Sequence, residues 1–253
     1  MTTSQDDPEP LIIQPSSTPL SVIFASVHQG HSQFGLHAGK QCSSNSLAFL
    51  LQAHLTEPNV PTDLDTVLQN GISIYQTTGQ TGNLLTTDLP RTLFHQEKLF
   101  KINYLDSCKG NVHELTRPFL SPHPTLATAL KMAYKATNYM LITLGDNPGV
   151  TLAIYGHLNP NIQYHVFDPH CRDSYGLPSS EGAAVLLKFR YREQLLAFLR
   201  EYAAKLTRNP SSCPYELTPL KISVQPKRQS SRKGEGPQTV QVNNLSNLNI
   251  CLT

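Results

Sequence analysis

Between Tyr139 and Phe189 the chain passes through four short β-prone runs joined by short connections, and this constrains the fold more than any other feature. The runs are Tyr139 to Leu144, Thr151 to Tyr155, Tyr164 to Phe167 and Ala183 to Phe189. Gly145-Asp146-Asn147-Pro148-Gly149 between the first two is a turn. Short links favour an antiparallel meander. A further short strand is expected within Leu20 to Val27.

Most of the helical signal comes before these runs. Leu47, Leu50, Leu51 and Leu55 recur at helical spacing within Ser43 to Leu55. A second stripe, Leu64, Val67, Leu68, Ile72 and Tyr75, follows a cap at Thr62-Asp63. Asp88-Leu89-Pro90 predicts a short helix, with Asp at the cap and Pro in the first turn. Thr125 to Ala136 and Arg192 to Leu206 are further helices. Helices first and an antiparallel sheet later make the class α+β, with the N-terminal helical part packed on the sheet.

The ends read differently. Residues 1–19 contain Pro8, Pro10, Pro15 and Pro19 among Ser, Thr and acids, which predicts a disordered lead-in. Met1 to Asp7 has no basic or apolar region, so no secretory signal is expected. The folded domain is expected to span 20–206. After it, 207–253 reads as a flexible polar and basic tail, carrying Pro226-Lys227-Arg228-Gln229-Ser230-Ser231-Arg232-Lys233. That patch is either a solvated linker or, on a functional reading, a nuclear import signal or a flexible contact for an anionic partner. The net charge of +2 gives the core no strong attraction for nucleic acid or membrane.

The cysteines, at 42, 108, 171, 213 and 251, are odd in number, widely spaced and without a CxxC. This argues against a disulfide framework and for a reducing compartment. No close Cys/His pair faces a second one, so neither zinc nor any other cofactor is expected.

One cysteine has the setting of a nucleophile. Cys42 lies in Gly39-Lys40-Gln41-Cys42-Ser43-Ser44-Asn45, where the first long helix should begin. A helix N-terminus and a nearby imidazolium both lower a thiol pKa. Asp168 and His170 close the run Gln163-Tyr164-His165-Val166-Phe167. Residues i and i+2 of a strand share a face with Cα atoms ~6.5–7 Å apart, so Asp168 can hold the imidazole Nδ1 and leave Nε2 for the thiol. Gln29, thirteen residues before Cys42 in a Gly-containing loop, can supply an amide donor for an oxyanion beside the Cys42 N–H. Singly, each has a plain reading: a buried thiol, an Asp-Pro turn before a surface histidine, a solvated loop glutamine.

In combination they resemble a known family. Gln29, then Ala38-Gly39-Lys40-Gln41-Cys42-Ser43-Ser44-Asn45, Leu64-Asp65-Thr66-Val67-Leu68, Asp88-Leu89-Pro90 and Tyr164-His165-Val166-Phe167-Asp168-Pro169-His170 are similar, in that order, to the deubiquitinase domain at the N-terminus of herpesvirus large tegument proteins. Arg172-Asp173-Ser174-Tyr175-Gly176-Leu177-Pro178 resembles related domains from polyproteins of mobile elements as much as the viral ones. The resemblance implies a papain-like cysteine peptidase with Cys42 as nucleophile, His170 as base, Asp168 as its orienter and Gln29 as oxyanion donor. It implies cleavage after the C-terminal glycine of ubiquitin, and of NEDD8 in some members. It also implies an intracellular or virion-tegument setting.

Two other readings use the same residues: a different cysteine acyl-transfer enzyme, and a catalytically silent ubiquitin-binding scaffold. Tyr164, Phe167 and Phe34 are candidates for the walls of a glycine-selective channel, with plain core packing as the alternative.

Overall fold

Nine strands, among the described residues, pair into one antiparallel sheet. The structure is a computed structural model that describes residues 16–114, 123–146, 149–156, 164–207, 209 and 212–226. The lead-in up to residue 15, and the tail from 227 with nearly all of the basic patch, lie outside the described residues.

The strands are β1 (Ser21–Phe24), β2 (Thr92–His95), β3 (Lys98–Tyr104), β4 (Cys108–Asn111), β5 (Tyr139–Leu144), β6 (Val150–Gly156), β7 (Tyr164–Arg172), β8 (Ala183–Phe189) and β9 (Pro214–Gln225). The helices are α1 (Cys42–Leu55), α2 (Pro61–Thr77), α3 (Leu126–Ala136) and α4 (Arg192–Leu206). Across the sheet the order is β1-β8-β7-β6-β5-β9-β3-β2, with β4 also on β9. The expected meander is present as β5-β6-β7-β8, each strand antiparallel to the next.

Both faces of the meander are covered. Side chains alternate along a strand, so Ala153, Phe167 and Leu186 pack with α1 and α2, while Ile154, Val166 and Leu187 pack with α3 and α4. The fold is therefore α+β, with the N-terminal helices on one face and the later helices on the other.

α1 is buried almost all round, from Cys42 without a break to Leu51. It lies between the sheet and α2, so its polar first turn must satisfy its hydroxyls internally. Ser43 Oγ donates to the Leu84 carbonyl at 2.7 Å, Ser44 Oγ to Gln41 O at 3.0 Å and Ser46 Oγ to Thr151 O at 3.1 Å. One turn on, Phe49 stacks on Phe167 of β7, centroids 4.9 Å apart. α2 starts at Pro61, and the Asp63 carboxylate accepts from the Asn59 and Val60 N–H groups. The α1–α2 approach is set by Gly71: a Cβ there would overlap the Cα of Asn45. From α2, Asp65 also accepts from the N–H and hydroxyl of Ser26, both at 2.7 Å, which anchors the loop that carries Gln29.

Two expectations need correction. Asp88 does not open a helix. It closes a 3-10 turn, Thr86–Asp88, where its carboxylate accepts from Leu85 N–H at 2.8 Å, and β2 begins at Thr92. The boundary at 206 is also too early, because β9 is an interior strand. β9 pairs with β5 on one side and with β4 and then β3 on the other.

Pro219 makes this segment look unlike a strand. It falls where the ladder passes from β4, which pairs Pro214–Leu217, to β3, which pairs Leu220–Gln225. Its carbonyl accepts from Leu105 N–H at 2.9 Å on that side. The bond that Pro219 cannot return, to the Leu105 carbonyl, falls between the last residue of the β4 ladder and the last of the β3 ladder, so both of those ladders stay intact.

Candidate active site

Cys42 is the first residue of α1 and is 5 % exposed. Gln41 before it makes no side-chain cap, so the first-turn N–H groups keep their partial positive charge at the sulfur. The thiol hydrogen-bonds to His170 on β7 and to Thr151 on β6. His170 Nδ1 lies 2.7 Å from Asp168 Oδ1. A carboxylate only accepts, so Nδ1 carries the proton and Nε2 is left for Cys42. Asp168 Oδ1 also accepts from the His170 backbone N–H at 2.9 Å. Spacing of i and i+2 on one strand thus brings Asp168 and His170 together, and the sheet presents His170 to α1.

The charges favour a thiolate–imidazolium pair. Burial alone would raise the Cys42 pKa, but the hydrogen bond and positive charge of His170 outweigh it, and the thiol lies below its ordinary value. Burial alone would lower His170. The charge and hydrogen bonds of Asp168, helped by Cys42, instead raise it to about 9. Asp168 is fully buried, which opposes ionisation, yet Arg172 and His170 hold it below the usual carboxylate range.

Gln29 is fixed by its backbone between the two halves of the site. Its N–H donates to Pro169 O at 2.8 Å, next to His170, and its carbonyl accepts from Gly39 N–H at 3.0 Å, three residues before Cys42. Its side chain is 2 % exposed, and Oε1 has no partner among the described residues. His28, beside it, is held below the ordinary histidine value by burial and by the charges of His31, His170 and Arg172.

A cleft of about 240 Å³ opens at Cys42. Leu84 to Thr87 form one wall. Thr143, Thr151 and the Lys109–Glu216 ion pair, 3.3 Å apart, form the other. The three aromatic wall candidates are core residues. Phe167 stacks on Phe49, Tyr164 meets Tyr134 edge-on at 4.9 Å, and Phe34 is 4 % exposed within the core under α1 and α2.

Three residues of the site were not foreseen from the sequence: Thr151, Arg172 and Tyr202. Tyr202 reads as one more apolar position of the α4 stripe. Arg172 shares the parity of Asp168 and His170 on β7, and that was its only signal. Among the described residues no group of three or more His, Cys, Asp or Glu could hold a metal ion, and no helix is long and apolar enough to cross a membrane.

A thiol at a helix start, facing a histidine and an aspartate on an antiparallel sheet, is the layout of the papain-like fold class. More narrowly, the chain belongs to the family described as the herpesvirus tegument protein N-terminal conserved region, whose model matches residues 24–225. It is 24 % identical over 163 residues to a large tegument protein deneddylase of Human herpesvirus 7 (strain JI), a match covering 61 % of this chain and 8 % of that protein. It is 26 % identical over 159 residues to the large tegument protein deneddylase of Human herpesvirus 8 type P (isolate GK18), covering 58 % and 6 %. The chain thus spans less than a tenth of these relatives' length. Its fold matches the ubiquitin-specific protease encoded by murine cytomegalovirus tegument protein M48, solved with a ubiquitin-based suicide substrate. The TM-score is 0.66 at 18 % identity, over 84 % of this chain and 90 % of that one.

Proposed function

We propose that this domain is a thiol-dependent isopeptidase that hydrolyses the bond after the C-terminal glycine of ubiquitin, with NEDD8 as a second substrate. The observation that carries the reading is the Cys42–His170–Asp168 constellation, a thiol hydrogen-bonded to an imidazole whose other nitrogen is held by a buried carboxylate. The printed names of the relatives, deneddylase and ubiquitin-specific protease, supply the substrate class. The tegument family supports a virion-tegument and intracellular setting.

In this reading the Cys42 thiolate attacks the carbonyl carbon of the terminal glycine. The Gln29 amide and the Cys42 N–H hold the oxyanion. His170 gives its proton to the leaving lysine amine, and the C–N bond breaks to leave a thioester. His170 then takes a proton from water, and the hydroxide formed displaces Cys42 to release the carboxylate. The small cleft suits an extended Gly-Gly end, which has no side chains to place.

The test is incubation with ubiquitin carrying a C-terminal electrophile, read by intact mass. The wild type should gain one adduct and Cys42→Ala none. Gln29→Ala should lower kcat on a fluorogenic ubiquitin amide by ~10²–10³-fold. A folded wild type that forms no adduct would overturn the reading. A Gln29→Ala variant with unchanged kcat would remove Gln29 from the mechanism.

A further inference from the structure

Asp168 uses its two oxygens for different neighbours. Among the described residues Oδ1 accepts only from His170, through backbone N–H and ring. Oδ2 accepts from Arg172 Nε and, at 2.7 Å, from the Tyr202 hydroxyl. Arg172 in turn donates through Nη2 to the Tyr202 oxygen and through Nη1 to the Cys171 carbonyl at 2.7 Å, and its guanidinium carbon lies 5.0 Å from the Tyr202 ring centroid. All three side chains are buried, with Arg172 5 %, Asp168 1 % and Tyr202 0 % exposed.

We propose that Arg172 and Tyr202 are positioning residues, a clamp on Oδ2 that fixes the Asp168 carboxylate so that only Oδ1 faces His170. This rests on the isopeptidase reading and deepens it. A carboxylate has about four acceptor sites, and here four donors fill them, two on each oxygen. Without the clamp the group is free to turn about its Cβ–Cγ bond, and His170 loses the partner that sets its orientation. The clamp also balances charge. Arg172 and His170 are cationic while Asp168 and Cys42 are anionic, so the buried row sums to zero, whereas the triad alone would leave a net negative charge out of water.

The backbone supports this arrangement. The β7–β8 register shifts between Asp168 and Arg172, and Arg172 then pairs with Ala183. The neighbouring Gly182 has φ +140°, and a Cβ there would overlap the Arg172 carbonyl. Arg172 is therefore locked at its backbone as well as at its guanidinium. Tyr202 comes from α4, on the face of the sheet opposite α1. The ionisable groups about Asp168 are His170 and Arg172 from β7 and Tyr202 from α4. His170 in turn faces Cys42 from α1 and the nearby His28.

The experiment measures turnover of a fluorogenic ubiquitin amide by Tyr202→Phe, Arg172→Gln and Arg172→Lys, each alone and in an Asp168→Asn background. Tyr202→Phe should lower kcat about tenfold with KM unchanged, since it removes one hydrogen bond to a charged group and touches no substrate. Arg172→Gln should move the basic limb of kcat/KM to below about 9, because an Asp168 carboxylate free to turn no longer holds the His170 proton. Arg172→Lys should restore part of that shift.

In the Asp168→Asn background neither change should add a further loss, because the group they act through has gone. A folded Tyr202→Phe with wild-type kcat overturns the clamp, as does a loss of equal size in the Asp168→Asn background. If Arg172→Gln fails to fold, Tyr202→Phe decides alone, because it keeps the ring packed on Phe198 at 5.8 Å. A wild type without turnover counts against the isopeptidase reading instead.

Discussion

His170 is held well above its ordinary histidine ionisation, and it sets a pH window. Its pKa is raised to about 9 and that of Cys42 is lowered, so the ion pair exists between those two values. In the proposed reaction kcat/KM is expected to fall as pH rises past about 9, where His170 loses the proton meant for the leaving amine. A basic limb near 7 would show that His170 is not held by Asp168. Stability follows the same linkage. A raised histidine contributes fully below its unfolded value of about 6.5, and the contribution is lost as pH rises through about 9. Asp168, depressed in the folded state, contributes above the ordinary carboxylate pKa of about 4, and the contribution is lost as pH falls below it.

Helices and strands differ in how well local sequence marks them here. α1 to α4 carry their stripes openly, and Arg192–Leu206 matches the expected helix at both ends. The strands of the meander are equally plain, being continuous apolar runs covered on both faces. β2 and β3 were missed because their hairpin turns through Gln96 and Glu97, both at positive φ, where Asn-Gly would have been the recognisable signal. β9 was missed because of its two prolines. The purpose of Gly71 shows only when α1 lies against it. Gly71→Ala should destabilise the fold by about 1–3 kcal/mol, the usual cost of forcing extra volume into a packed contact. Urea unfolding checks this. A variant as stable as the wild type would mean that α1 and α2 separate more easily than their packing indicates.

At the scale of the whole domain, the sheet makes the C-terminal segment indispensable. We expect the folded unit to run from about residue 20 through β9. A chain ending at Leu206 should fail to fold cooperatively, while one ending at Pro226 should melt as a single transition, which circular dichroism would follow. A cooperative transition from the shorter chain would show that β9 is dispensable. The position of β9 also bears on the order of events during synthesis. Cys42, its helix and the whole β5–β8 meander leave the ribosome before the strand that seats β3 and β4 beside them. Contacts so distant in sequence form late, so a nascent chain carries Cys42 for much of its elongation without a finished sheet behind it. Under the proposed isopeptidase reading, activity should therefore switch on only once residue 225 has cleared the exit tunnel, and an unfinished chain should leave conjugates near the ribosome uncut.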